Sequence, residues 1–220
     1  MDLQHLLDFL VALRQNNNKA WMDAHKAAYQ QARNTLLDVT DALIKGMGPW
    51  DESVADLEPK QCIFRINRDI RFSQNKSPYK TNMGVFLAPE GKNSGRAGYY
   101  LHIEPGGKSL IAGGMYDPAS DALKKIRQEI DYHADELLSV LNAPRFKQLF
   151  GALQGEKLKK TPQGYDAAHP QAELLKMKSY LVTYPITDST VTQKDFLAQV
   201  LEVFQAMIPL NKFLNTAISM

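Results

Sequence analysis

Apolar residues first recur at helical spacing. Leu3, Leu6, Leu7, Leu10 and Leu13 mark one face of a helix, with Asp2 placed to cap it. Asn16, Asn17 and Asn18 stop that helix, and Asn18 is positioned to cap a second. The second carries Trp21, Ala24, Ala28, Leu36, Val39, Leu43 and Met47, approaches thirty residues with or without a break, and is ended by Gly46, Gly48 and Pro49. The period then changes. Cys62, Phe64, Ile66, Ile70 and Phe72 alternate with Ile63, Arg65, Asn67, Asp69, Arg71 and Ser73, which predicts a half-buried strand with Phe64 and Phe72 inward. Arg68 falls on the apolar side, so the strand bulges or ends there, or Arg68 is buried and paired. Further strands are expected over 83–88, 98–103 and 109–115, with Tyr99, Leu101 and Ile103 sharing a face. The links between them, 89–98 and 104–108, are short and glycine-rich, so these strands are antiparallel neighbours.

Helical spacing returns afterwards. Asp117 and Pro118 open a run through Leu123, Ile126 and Ile130, with Asp117 the expected cap. Shorter helices follow over 134–141 and 145–153, and another opens at Pro170. Residues 179–184 read as an edge strand ended by Pro185. Thr192 is the expected cap of a last helix carrying Phe196, Val200, Phe204 and Ile208, broken or kinked at Pro209. A meander between helical halves predicts the α+β class: a central, mainly antiparallel sheet of four to five strands, flanked by N-terminal and C-terminal helices in a single domain over 1–220.

Composition narrows the picture only a little. The hydrophobic share of 44% and charged share of 23% are those of an ordinary soluble protein. No run of about eighteen apolar residues exists to span a membrane, and the N-terminus lacks the pattern of a signal peptide. The single cysteine, Cys62, excludes an internal disulfide framework and reads as a small core residue. A cytoplasmic protein is the expectation. The net charge of +2 does not by itself argue for nucleic acid.

Charge matters locally. Between residues 60 and 80, Lys60, Arg65, Arg68, Arg71, Lys76 and Lys80 face one acid, Asp69. This predicts an anion site built from Arg65, Arg68, Arg71, Lys76, Tyr79 and Lys80, with Asp69 orienting an arginine or acting as a base. Arginine suits the task because its planar fork bonds carboxylate or phosphate through two nitrogens. On a straight strand Arg65 and Arg71 would be roughly 20 Å apart, too far to share a small anion, while Arg71 and Asp69 would be about 7 Å apart and able to pair. Three readings follow: a small phosphate- or carboxylate-bearing ligand; nucleic acid or an acidic protein on the same basic surface; or a ladder of structural arginines paired with acids on neighbouring strands. Gly113 and Gly114, followed by Tyr116 and a helix start, form a second place for ligand contact. The five histidines show no metal-ligand spacing, and no cofactor or metal is implied; His102 and His169 are the two placed near polar surroundings.

The stretch FRINRDIRFSQNKSPYKT resembles the signature of a widespread bacterial and fungal family of conserved proteins, domain of unknown function 2461. Asn17, Asn18 and Trp21, then Gly113, Gly114, Tyr116 and Pro118, then Pro162, Gly164, Tyr165, His169 and Pro170, resemble further segments of it, so the likeness extends over nearly the whole chain. Met22 stands where the family pattern has an aromatic residue. The resemblance implies no established activity and carries over no catalytic residue.

Overall fold

The computed structural model describes residues 1–219. Its first helix, α1 (Leu3–Gln15), is capped by the Asp2 carboxylate, which accepts from the His5 amide. Asn18 caps α2 (Lys19–Ala24) in the same way, accepting from the Trp21 amide. The expected long second helix is broken at His25, and α3 (Lys26–Met47) continues it. The break lets Trp21 stack on His25, with ring centroids 4.1 Å apart, and sit near Phe9 of α1.

Residues 62–73 do not form the expected strand. Pro59–Cys62 is a short helix, α4, and the chain beyond it is irregular up to Met83. The sheet consists of β1 (Met83–Leu87), β2 (Gly98–Ile103), β3 (Ser109–Met115) and β4 (Tyr180–Ile186), antiparallel throughout and ordered as in the sequence. Between β3 and β4 lie α5 (Ser120–Tyr132), α6 (Ala134–Asn142), α7 (Pro144–Phe150) and α8 (Ala172–Leu175). After β4 come α9 (Asp188–Val191) and α10 (Phe196–Ser219). The fold is α+β.

Boundaries differ from expectation at several points; β4 runs through Pro185 to Ile186 rather than ending at the proline. Ala119, not Asp117, precedes α5; Asp117 instead adopts a left-handed φ of 46° and its amide donates to Ser179. Thr192 follows α9 rather than capping the last helix, because Thr187 and Asp188 start a separate short turn of helix first. Pro209 neither ends nor breaks α10, which runs on to Ser219. Packing overrides the local proline penalty here: Val200, Phe204, Met207, Leu210 and Leu214, on both sides of Pro209, are all buried.

The sheet is covered on one side. Val85 and Leu87, Tyr99, Leu101 and Ile103, Ile111 and Met115, and Tyr180 and Val182 are buried with α1, α3 and α10 in one core. Period two then forces Gly84, Phe86, Tyr100, His102, Leu110, Ala112 and Leu181 to the opposite face. No helix among the described residues is long and apolar enough to cross a membrane.

Candidate functional site

The second face of the sheet is the floor of a groove of about 1460 Å³. In register across β1, β2 and β3, Gly84, His102 and Leu110 form one rung, and Phe86, Tyr100 and Ala112 the next. One wall is the basic segment that includes Phe64, Arg65, Arg68, Tyr79 and Lys80; the other runs from Met115 to Lys125. Among the lining residues, seven are cationic (Arg14, Arg65, Arg68, Lys80, Lys92, Arg96, Lys125) and four acidic (Asp69, Glu90, Asp117, Asp121), so the groove is net positive.

The basic segment is an ordered excursion, not a strand. It folds back on itself: the Arg68 amide donates to the Pro78 carbonyl (2.9 Å) and the Lys80 amide to the Ile66 carbonyl (2.8 Å). Its tip is shaped by local polar side chains, with Asp69 accepting from the Arg71 amide and Asn75 from the Ser77 amide. Such bonds compete with a sheet ladder, and they defeat the period-two pattern. Ile63 and Ile66 are buried, but Phe64 is 38% exposed and Phe72 95% exposed, so neither phenylalanine points inward as expected. Asn17 fastens the returning arm: its amide donates to the Tyr79 carbonyl (3.0 Å) and its carbonyl accepts from the Tyr79 amide (3.1 Å).

This geometry divides the predicted residues. Arg65, Arg68, Asp69, Tyr79 and Lys80 line the groove on one wall and Tyr116 lines it on the other. Arg71 and Lys76 are not among the lining residues. Arg71 grips Asp69 with two nitrogens (3.0 and 2.6 Å), and Lys76 donates to the Ile70 carbonyl (3.0 Å). The hydrogen bonds from Arg71 hold the Asp69 carboxyl below its usual range. The expected ladder of arginines on neighbouring strands is not formed, since Asp69 lies two residues from Arg71 in the same loop. Arg68 is half-buried and donates to the Ser73 hydroxyl (3.3 Å) rather than to an acid.

Arg65, Arg68 and Lys80 have no carboxylate partner among the described residues. Lys80 is half-buried, with its ammonium 5.6 Å from the Phe64 ring centroid. Burial first, and then the charge of Arg65, push its pKa down. The half-buried Lys80 is thus held close enough to the exposed Arg65 for their charges to repel.

A polar chain that sequence reading did not assemble crosses the floor. The Tyr100 hydroxyl and His102 Nδ1 are 3.0 Å apart, and His102 Nε2 and Glu104 Oε2 are 3.0 Å apart. The other Glu104 oxygen accepts from the Thr81 hydroxyl (3.4 Å), next in sequence to Lys80. The side chains of His102 and Glu104 are each 17% exposed. Burial, and then the Glu104 charge, push the Tyr100 phenol up to about 12. Gly84 makes room for the phenol: a Cβ there would lie 2.8 Å from its oxygen and 2.9 Å from its ring. The legible signal was the alternation itself, which sets Tyr100, His102 and Glu104 on the face opposite Tyr99, Leu101 and Ile103.

Gly113 and Gly114 line the groove at the end of β3, whereas His169 and Cys62 lie outside its lining. Gly113 turns toward Met207 of α10, and Gly114, with a φ of 106°, packs against the Tyr180 carbonyl. His169 pairs with Asp131 (2.9 Å) outside the groove lining. Cys62 is buried and its thiol is pushed up to about 11, chiefly by burial. No group of three His, Cys, Asp or Glu side chains suited to a metal ion occurs among the described residues.

No curated protein and no solved structure matches the chain. A family of conserved hypothetical proteins (DUF2461) matches residues 5–213, the span that holds the basic loop, the Asn17 fastening and the floor of the groove. The chain therefore belongs to the DUF2461 family.

Proposed function

We propose that the groove binds a small anionic ligand, phosphate- or carboxylate-bearing, with Arg65, Arg68 and Lys80 as the groups that meet the anion. One observation carries the reading: the half-buried Lys80 is close enough to the exposed Arg65 for their charges to repel, and neither forms an ion pair with a carboxylate among the described residues. Like charges so placed are relieved by an anion between them. A dianionic phosphate fits better than a carboxylate, because it offers more oxygens to several cations at once. The groove volume of about 1460 Å³ exceeds the roughly 300–1,000 Å³ of common small-molecule sites, so the anionic end fills only part of it. Tyr79 and Tyr116 line the same space.

The exposed Phe72, with the Arg71 guanidinium 5.8 Å from its ring centroid, favours a second reading. An aromatic ring beside a cation on the outer surface of the loop is the kind of platform that nucleic-acid bases stack on. Thermal unfolding against phosphate, short carboxylates and single-stranded oligonucleotides separates the two. The anion reading predicts a concentration-dependent rise with phosphate that persists in 0.2 M salt and is lost in Arg65→Gln. The nucleic-acid reading predicts stabilisation by oligonucleotides alone, falling steeply with salt and lost in Phe72→Ala.

A further inference from the structure

We infer that the Tyr100, His102 and Glu104 chain is a proton relay and that the groove hydrolyses phosphate monoesters, with Tyr100 as the catalytic acid. The inference rests on the anion-binding reading above, which supplies the site for the phosphate. Three observations converge. The first is geometric: a phenol, an imidazole and a carboxylate are joined end to end by two contacts of 3.0 Å, with the phenol at the groove and the carboxylate fastened by Thr81. The second is placement: the Phe64 ring neighbours both ends of the proposed site, its centroid 6.1 Å from that of Tyr100 and 5.6 Å from the Lys80 ammonium. The third is accommodation: Gly84, opposite His102 on β1, leaves the space that the phenol occupies.

The direction of proton flow follows from the surroundings of Tyr100. A phenol pushed up to about 12 by burial does not rest as phenolate, so it is a poor standing nucleophile. It serves instead as a group that gives one proton as it takes another. The step requires a proton on both nitrogens of His102, so that Nδ1–H donates to the phenol oxygen and Nε2–H to Glu104. The phenol O–H is then free to face the ester oxygen of a phosphate held by Arg65 and Lys80. Water attacks phosphorus and forms the new P–O bond as the bond to the ester oxygen breaks. Tyr100 protonates the departing oxygen and receives the Nδ1 proton of His102 in the same event. One proton of the water stays on the released phosphate, and the other returns through solvent to His102. The sum is ester plus water giving alcohol plus hydrogen phosphate. The cations stabilise charge on the equatorial oxygens in the transition state. Tyr100 touches the reacting oxygen; His102 and Glu104 act through it and are positioning residues.

General acid assistance matters most when the leaving group is poor, which gives a signature that mere loss of structure lacks. The test compares phenyl phosphate with 4-nitrophenyl phosphate in wild type, Tyr100→Phe and Glu104→Gln, with inorganic phosphate binding measured on each by calorimetry. The expected result is turnover of both esters by the wild type. Tyr100→Phe lowers kcat on phenyl phosphate by roughly a hundredfold or more and on 4-nitrophenyl phosphate by less than about tenfold. Glu104→Gln moves the two rates in the same order by smaller factors, and phosphate binding survives in both variants. Phosphate binding without turnover of either ester overturns the relay and leaves the anion site standing. So does an equal loss on both esters, or no loss, in Tyr100→Phe. Absence of phosphate binding by the wild type overturns both.

Discussion

Tyr99 and Tyr100 are consecutive on β2 and have opposite surroundings. Tyr99 enters the covered face, packs 5.2 Å from Phe204 between ring centroids, and donates its hydroxyl to Asp51 at 2.7 Å. Burial, and then that carboxylate, push its pKa far up. Tyr100 enters the groove, meets His102 and borders open space. One residue of register therefore separates a phenol that is an anchor from one that borders a cavity. The same division holds for the whole sheet. The covered face is chosen by apolar packing, where a substitute of different volume is costly. The open face sets Tyr100 and His102 among Phe86, Leu110, Ala112 and Leu181 as the floor of the groove.

That contrast can be strained from either side. The largest effect is expected on the covered face, where Leu101→Ala removes a fully buried side chain and costs about 3 kcal/mol, lowering the unfolding midpoint by about 6–12 °C. Tyr99→Phe takes the phenol donor from Asp51 and costs about 1 kcal/mol, or about 2–4 °C. Tyr100→Phe, the same chemical change one residue on, costs about half as much or less. Equal losses in the two tyrosine variants would dissolve the comparison. The smallest shift has the opposite sign. Lys80 has a folded-state pKa below its unfolded value, so the unfolded chain binds more protons between the two values and stability rises with pH across that window. Below it the protonated Lys80 opposes folding. Lys80→Met should therefore raise the midpoint at neutral pH by about 1 °C and flatten the rise of stability with pH on the alkaline side. A fall in the midpoint would show that Lys80 is a structural cation.

The two faces were not equally legible. Alternation in β2 placed Tyr99, Leu101 and Ile103 on one side correctly, because burial of one face fixes register strongly. The caps at Asp2 and Asn18 were legible because they depend on one side chain and the turn beside it. The same alternation failed over 62–73. There the polar residues bond within the loop, and the returning arm is held by Asn17, 62 positions away, which local pattern does not reveal. Arg65, Arg68 and Lys80 were identifiable by charge. The Arg71–Asp69 pair was legible from their spacing and is formed; that Arg71 is turned from the groove depends on a turn that a straight-strand estimate could not represent. Pro209 illustrates the opposite case, in which a strong local signal was overruled by burial along α10.

The central claim is that the groove's unpaired cations bind an anion. Calorimetric titration of inorganic phosphate into wild type, Arg65→Gln and Arg71→Ala tests it most directly. Saturable binding to the wild type, weakened at least about tenfold in Arg65→Gln and unchanged in Arg71→Ala, with all three proteins melting within about two degrees of one another, is the predicted result. Equal binding by wild type and Arg65→Gln, or greater loss in Arg71→Ala, would contradict the claim and move the anion to the outer surface of the loop.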